Sequence, residues 1–486
     1  MKKRELMNLG IPERAVPPAL AACGQAGLDR AGVREALRRV LDDAQGFRED
    51  PVWSGVARAI LGESPDGSPV FVPRDPPAPL RMWGTPGRTF EGEAVAQINR
   101  ARSLPVAGAA ALMPDAHVGY GLPIGGVLAT RGSVIPYAVG VDIACRVRLS
   151  VLDMPATALD RPHEAARLRD AIETQTRFGV GAEFGRIGEA HRLRRHEVMD
   201  EDWGVSPITK RAKDKAWTQL GTSGSGNHFV EFGVLTVPEA AGTARTEGGT
   251  LGLAPGQYLA LLSHSGSRGT GAAVCDHYSR VAIDSRPELP PQLKYLAWLD
   301  LSSQAGSEYW AAMSLMGRYA SANHACIHDA VIGHLGARPI ASVENHHNFA
   351  WAETHDLGQG PEEVIVHRKG ATPAGAGVLG FIPGSMADPG FVVRGLGGPG
   401  SLGSASHGAG RAMSRTAARN RFRASDAREI LEARRVEVIS AGIDELPMVY
   451  KDIAEVMREQ QDLVETVATF QPRLVKMAPE GEKAED

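Results

Sequence analysis

At 486 residues with a formal net charge of -4, the chain is long enough for roughly three domain-sized units and has no global attraction for polyanions, so nucleic acid would have to be held by local basic patches. Apolar and charged residues mix as in globular proteins, no apolar run approaches the roughly 20 residues that span a bilayer, and the basic start Met1-Lys2-Lys3-Arg4 lacks the apolar segment of a secretory signal. The four cysteines, Cys23, Cys145, Cys275 and Cys326, are too widely spaced for a disulfide framework and fit a reducing, cytoplasmic setting.

From Met1 to about Pro77 the pattern is helical and carries no catalytic signal. Asp29 is placed to cap a helix whose Val33, Leu37, Val40 and Leu41 share a face, and Arg30, Arg34, Arg38 and Arg39 read as its solvated side. Pro73, Pro76, Pro77 and Pro79 then punctuate the chain, which sets a domain edge between residues 70 and 80. Met113-Pro114-Asp115-Ala116-His117-Val118-Gly119-Tyr120-Gly121 continues to Gly126 as a glycine- and proline-rich loop holding an acid and a histidine. It leads to Gly140-Val141-Asp142-Ile143-Ala144-Cys145, which sets a carboxylate and a thiol three residues apart. Taken alone the pair reads as a buried cysteine beside a turn-capping aspartate, and with the segments that follow it reads as a metal anchor. The alternation of Val147, Leu149 and Val151 predicts a strand leaving that anchor.

Residues 161–215 read as helices with polar connections. Their basic clusters, His191 to His196 and Lys210 to Lys215, read first as solvated surface and second as phosphate contacts. Gly221-Thr222-Ser223-Gly224-Ser225-Gly226-Asn227-His228-Phe229-Val230-Glu231 then runs a glycine-rich loop into a strand bearing His228 and Glu231. Two similar arrangements follow: a strand ending at Ser263-His264-Ser265-Gly266-Ser267-Arg268, and Glu344-Asn345-His346-His347-Asn348. Between them, Ser302 to Leu335 has helical spacing with Tyr309, Met313, Met316, Ala320 and Ile327 inward. His324 and His328 lie four apart there, but no glutamate stands between them as zinc-protease chemistry would want. The last third carries His367-Arg368-Lys369-Gly370-Ala371-Thr372, Ile382-Pro383-Gly384-Ser385-Met386 and Ser406-His407-Gly408-Ala409-Gly410-Arg411. The last of these reads as a glycine loop at the N-terminus of an arginine-rich helix, offering amides to a phosphate near His407.

Histidines closing glycine-rich or strand-terminal segments, one Asp/Cys pair and separated basic residues are explained together by a dinuclear metal site beside a nucleotide pocket. A thiolate can bridge two cations, with Asp142, His228, His264 and His347 completing shells that leave positions for substrate oxygens.

The ordered motifs MPDAHVGYG, GVDIAC, GSGNHFVE, HSGSRG, HHNFA, HRKGAT, IPGSM and SHGAGR resemble those of the RtcB-type RNA-splicing ligases over about residues 80 to 477. The resemblance implies an α+β fold: one large catalytic domain of mixed sheets and surrounding helices over 81–477, preceded by a helical extension over 1–80 and followed by an acidic tail over 478–486. It implies two manganese ions sharing the Cys145 thiolate, with Asp142, His228, His264 and His347 as the other ligands, where ligand softness alone would have favoured zinc. It further implies His407 as the nucleophile that takes GMP from GTP. Asn227, Phe229, Glu231, Asn348, Ser385, Gly408, Ala409, Gly410, Tyr450 and Lys476 would line the nucleotide pocket, and Arg268, Lys369 and Arg411 would serve the phosphate steps. The implied partners are RNA ends bearing a 3′-phosphate or 2′,3′-cyclic phosphate and a 5′-hydroxyl, together with GTP and, for some family members, the activator archease; no membrane is implied.

Three features depart from the family pattern: Pro373 where many members have arginine, Met477 where many end Lys-Gly, and the N-terminal helices. They are compatible with a paralogue that caps DNA or RNA 3′-phosphates. Two other readings remain open: a dinuclear phosphoesterase that would not need His407, and an end sensor without catalysis, against which the intact ligand set argues.

Overall fold

The alternating residues Val147, Leu149 and Val151 lie on the strand Arg146–Pro155, at the heart of a mixed sheet in the computed structural model, which describes residues 1–63, 70–189, 191–239 and 251–482. The end of the acidic tail, residues 483–486, lies outside the described residues.

Across this sheet the strands run Leu379–Ile382, Gly390–Gly395, Val464–Met477, Phe229–Val237, Gly256–Ser265, Arg146–Pro155 and Pro339–His346, each antiparallel to the next. Glu437–Ser440 pairs parallel with Val464–Met477 beside this path. The first and last strands nearly meet. Asn345 bridges them, its Nδ2 donating to the Phe381 carbonyl at 3.2 Å and its Oδ1 accepting from the Phe381 amide at 2.7 Å. The sheet therefore curls around its own core of Val147, Leu149, Val151, Leu235, Ala260, Leu262, Phe381 and Phe470. Its outer face is covered too: Val230, Phe232, Leu259 and Leu261 pack with Ile327 and Val331 of the helix Gln304–Leu335 and with Leu168 and Ile172 of the helix Pro162–Gln175. Burial on both faces explains the apolar runs of the strands Phe229–Val237 and Gly256–Ser265.

A second sheet runs Leu80–Met82, Ala107–His117, Ile124–Thr130, Pro361–Lys369 and Asn348–Asp356. The chain passes from the first sheet to the second at His347, between the strands Pro339–His346 and Asn348–Asp356. This is an α+β architecture with mixed sheets and surrounding helices, and helices precede the catalytic sheets.

Two compact units make up the chain, Met1–Pro73 with Arg286–Lys294, and Arg74–Ser285 with Tyr295–Asp486. In the first, the helices Lys3–Asn8, Val16–Gln25, Arg30–Asp42 and Ser54–Leu61 bury Leu6, Val16, Val33, Leu37, Val40, Trp53 and Val56 in one apolar core. Asp29 caps the helix Arg30–Asp42, its Oδ1 accepting from the Gly32 amide at 2.8 Å, and the four arginines of that stretch are exposed.

Two local expectations are corrected. Met113 to His117 completes the strand Ala107–His117 instead of opening a loop, and the pairing with Ile124–Thr130 shifts register between Leu112 and His117, which accommodates Pro114 without a ladder bond. The glycines 408–410 do not open a helix. The following helix begins at Arg415, capped by Ser414, so any phosphate contact by this loop uses turn amides and no helix dipole.

Candidate metal and nucleotide site

Strand register assembles the site. Arg146 pairs with both Ser265 and His346, and Phe229 pairs with His264, so Cys145, His228, His264 and His347 all fall at the same end of four adjacent strands. The Cys145 Sγ lies 3.1 Å from His264 Nε2 and 3.5 Å from His228 Nε2. His264 Nε2 lies 3.2 Å from His347 Nε2, and His228 Nε2 lies 3.1 Å from Asp142 Oδ2. Three of these donor atoms, on Cys145, His228 and His264, sit within 4.8 Å of one another and are buried. Backbone geometry brings them in. Ala144 takes the left-handed region at φ +57° and donates its amide to the Asn348 carbonyl at 2.7 Å, turning Cys145 toward the histidines. At Gly266 a Cβ would collide with the Asp142 carboxylate, so only glycine lets that strand end approach the anchor.

The donor set fits a metal. His264 Nδ1 donates to the Asn227 carbonyl at 2.9 Å, which fixes the tautomer and leaves the Nε2 lone pair facing the Nε2 of His347. Burial lowers His264 to about 3 and His347 well below the usual histidine value, with the positive charge of neighbouring histidines acting in the same direction. Burial works against ionised Asp142, but its hydrogen bond and attraction to His228, helped by Cys145 and Arg268, hold it at about 2. Three imidazoles, a carboxylate and a thiol converging on one point are arranged for a cation. Among the described residues, the buried Nδ1 atoms of His228 and His347 have no hydrogen-bond partner. The other buried cysteines differ: burial pushes Cys275 up to about 12 and Cys326 to about 11, leaving inert thiols.

Behind the ligands, the helix Gln304–Leu335 presents polar groups to the strand ends. Asn323 Oδ1 accepts from the Gly221 amide at 2.7 Å, and its Nδ2 donates to the Thr222 carbonyl at 2.9 Å and to Ser265 Oγ at 3.1 Å. His324 Nε2 donates to the Ser265 carbonyl at 3.1 Å, which leaves its Nδ1 to accept from Ser263 Oγ at 2.7 Å. Ser263 in turn lies 2.9 Å from His328 Nε2, and His328 Nδ1 lies 2.8 Å from Ser150 Oγ. His324 and His328 therefore form a satisfied hydrogen-bond chain beneath the ligands and do not chelate.

Two clefts meet at the cluster. The first, about 890 Å³, is lined by Asn227, Phe229, Glu231, Ser385, Gly408 to Arg411 and Tyr450, with His264, His347 and His407 at its inner end. Burial raises the Glu231 carboxyl well above the usual carboxylate range. Ser385 donates to Asp388 Oδ2 at 2.6 Å, and the Tyr450 hydroxyl donates to the Glu445 carboxylate. Arg411 lies over the Tyr450 ring and donates from Nη2 to the Asp444 carbonyl at 2.8 Å. The second cleft, about 1480 Å³, is lined by Tyr120, Tyr137, Asp142, Cys145, His228, His347, Asn348, Lys369, His407, Arg411 and Arg415. Asn348 holds its floor, accepting from the Gly370 amide at 2.8 Å and donating to the Asp142 carbonyl at 3.3 Å. Burial lowers Lys369 to about 8, and its Nζ donates to the carbonyls of Tyr120 and Tyr137 at 2.6 and 3.0 Å.

His407 stands between the two clefts, its ring centroid 4.8 Å from that of His347. Its Nδ1 donates to Asp115 Oδ2 at 2.7 Å, and its amide donates to the same oxygen at 3.1 Å. Asp115 is fully buried, yet the hydrogen bond and charge of His407, with Lys451 and His117, hold its carboxyl below the usual value against the cost of burial. Sequence reasoning singled out Asp115 but gave it no role, because no local signal ties it to a histidine 292 residues away.

Two residues expected at the site are placed elsewhere. Lys476 points to the opposite face of its strand from Val475 and Met477, which line the first cleft. Its ammonium donates to Thr176 Oγ1 at 3.2 Å and lies over the Phe178 ring. Strand alternation is the cause: a one-residue offset at the end of Val464–Met477 exchanges the faces. Arg268 lines neither cleft; it is buried, donates from Nε to Thr222 Oγ1 at 3.2 Å, and covers Gly224, where a Cβ would collide with its guanidinium. The basic clusters at His191 to His196 and Lys210 to Lys215 line neither cleft either.

A family model described as tRNA-splicing ligase RtcB matches residues 97–477. The RNA-splicing ligase RtcB of Escherichia coli K12 is 34% identical over 420 residues, covering 81% of this chain and 96% of that protein. The RtcB of Mycobacterium tuberculosis is 32% identical over 432 residues (77% and 98%), and the tRNA-splicing ligase RtcB of Thermococcus kodakarensis 29% over 425 residues (74% and 86%). With a matching family model over most of its length and relatives of 32–34% identity over three quarters or more of it, the chain belongs to the RtcB family of RNA- and tRNA-splicing ligases.

Proposed function

We propose that this protein is a cytoplasmic, GTP- and manganese-dependent RNA ligase that joins a 3′-phosphate or 2′,3′-cyclic phosphate end to a 5′-hydroxyl end through a guanylylated His407. The observation that carries this reading is the Asp115–His407 pair. With Nδ1–H held by a buried carboxylate, the Nε2 lone pair is free to attack where the two clefts meet. Manganese ions held by Asp142, Cys145, His228, His264 and His347 would neutralise phosphate oxygens.

The first cleft takes the guanine nucleotide, with Phe229 and Glu231 toward the base, Ser385 and Asn227 on its walls, Tyr450 and Arg411 at its outer side, and the Gly408 to Gly410 amides toward the phosphates. His407 Nε2 forms a bond to the α phosphorus as the bond to pyrophosphate breaks, and Asp115 offsets the positive charge that develops on the ring. The RNA 3′-phosphate then displaces His407, and the 5′-hydroxyl of the second strand displaces GMP. A cyclic phosphate end is first opened to the 3′-phosphate by water. Lys369, on the floor of the second cleft, meets the RNA phosphate. Arg268 acts from behind the cluster, through its charge on Asp142.

Incubation with manganese and α-labelled GTP, followed by denaturing electrophoresis, tests the reading. Wild type is expected to retain label in an acid-labile linkage, while His407→Ala and Cys145→Ala retain none. A wild-type protein that binds manganese, takes no label and still hydrolyses RNA ends would overturn it in favour of a phosphoesterase.

A further inference from the structure

The second cleft holds an aromatic feature that neither the metal nor the guanylate needs. Tyr120 lines the same cleft as Asp142, Cys145, His347 and His407, and it is 67% exposed, an unusual state for a large aromatic side chain. Its ring packs edge-on against Tyr295, with centroids 5.9 Å apart at 71°. Tyr295 in turn packs edge-on against Tyr137, at 4.7 Å and 63°. Tyr137 and Tyr295 are half-buried, so the row grades from a supported interior to an open outer ring.

The backbone under that ring is pinned. Gly119 donates its amide to Gln97 Oε1 at 3.1 Å, and Lys369 clamps the carbonyls of Tyr120 and Tyr137 together. Gly121, at φ +71°, passes so close to the Tyr295 carbonyl that a Cβ would meet it at 2.6 Å. An exposed ring on a fixed backbone loses little freedom on binding, which is the condition for an efficient contact. The charge around it selects the ligand. Lys369 lines the same cleft, beside Arg411 and Arg415, which are paired with Glu445 and Asp444, so an occupant that offers a phosphate to Lys369 and a flat π-face to Tyr120 is matched at both points.

Resting on the ligase reading above, we infer that Tyr120, backed by Tyr295 and Tyr137, is a stacking platform for the terminal nucleobase of an RNA strand whose end reaches the metal cluster. A stack tolerates any base, as an enzyme joining ends of varied sequence requires. Of the ammonium donors of Lys369, two hold the platform and the third remains for the phosphate of the same nucleotide.

The test uses the full-length protein and two short RNAs. One carries 2-aminopurine at the 3′-phosphate nucleotide, the other at the 5′-hydroxyl nucleotide, and binding is followed separately by anisotropy of a distal dye. On wild type and Tyr120→Phe, the 2-aminopurine of one RNA is expected to be quenched on binding, and which RNA responds identifies the strand end that occupies the platform. On Tyr120→Leu the quench is expected to disappear and binding to weaken roughly 5- to 100-fold. Quenching retained by Tyr120→Leu, binding to wild type without quenching of either terminal base, or no binding of either RNA would each overturn the platform. Guanylylation of wild type by labelled GTP without RNA reports independently on the ligase reading, so the two can fail separately.

Discussion

The back and the front of the ligand cluster are built on opposite principles. Behind it, on the helix Gln304–Leu335, polar side chains meet their partners in turn: Asn323 with Gly221, Thr222 and Ser265, then His324, Ser263, His328 and Ser150 in one chain. In front, imidazole lone pairs face one another, Lys369 is held near 8, burial pushes the Glu231 carboxyl well up and Tyr120 stands in solvent. The satisfied side fixes the strand ends, and the unsatisfied side is left to be completed by ligands. Function here is the part of the hydrogen-bond inventory that the protein does not close by itself.

The largest expected effect comes from breaking the front at Asp115. Asp115→Asn keeps an oxygen for the His407 Nδ1–H but removes the charge that offsets the imidazolium, so the rate of guanylylation should fall on the order of 100-fold or more. Single-turnover labelling measures it, and a loss of only a few-fold would mean that the carboxylate merely orients the ring.

Breaking the back should be milder and should act through the metal. Asn323→Ala strands the Gly221 amide and leaves the Thr222 carbonyl with only the 3.4 Å bond from Ser265 Oγ, at a cost of about 1–3 kcal/mol in unfolding free energy. It should also weaken cobalt(II) binding roughly 10- to 100-fold, with a changed thiolate-to-cobalt absorption band. A destabilised protein with unchanged cobalt affinity and spectrum would show the rail to be structural only.

The smallest effect sharpens the comparison through pH. Burial depresses Lys369 from 10.5 to about 8, so above pH 8 the folded protein binds fewer protons here than the unfolded chain, and stability must rise with pH until about 10.5. Relative to Lys369→Met, wild type should therefore gain about 2 kcal/mol between pH 7 and 9.5 in urea unfolding. A flat difference would mean that Lys369 keeps its charge in the cleft.

Much of this was legible locally. The strand from Arg146, the long helix after Ser302 and the Asp29 cap follow from alternation, helical spacing and a side-chain acceptor, all of which act within a few residues. Ordered motifs placed the ligand candidates because each stands at a strand end or glycine turn. What local pattern got wrong is equally instructive. Met113 to His117 reads as a loop but continues an extended strand, because the register shift between Leu112 and His117 absorbs Pro114. Gly408 to Gly410 reads as a helix start, but the helix waits for Ser414. Lys476, which the family resemblance alone assigned to the nucleotide pocket, lies on the opposite face of its strand from Val475 and Met477, because strand residues alternate faces.

The sequence by itself determined the regularly spaced helices and strands, the short motif that sets Asp142 beside Cys145, and the family, since propensity and short motifs are properties of neighbouring residues. Only the tertiary structure decided that Asp115 meets His407, that Asn323 and two histidines brace the ligand strands, and that three tyrosines form a row at the cleft. Those partners lie tens to hundreds of residues apart, and strand register, sheet curvature and helix packing bring them within reach.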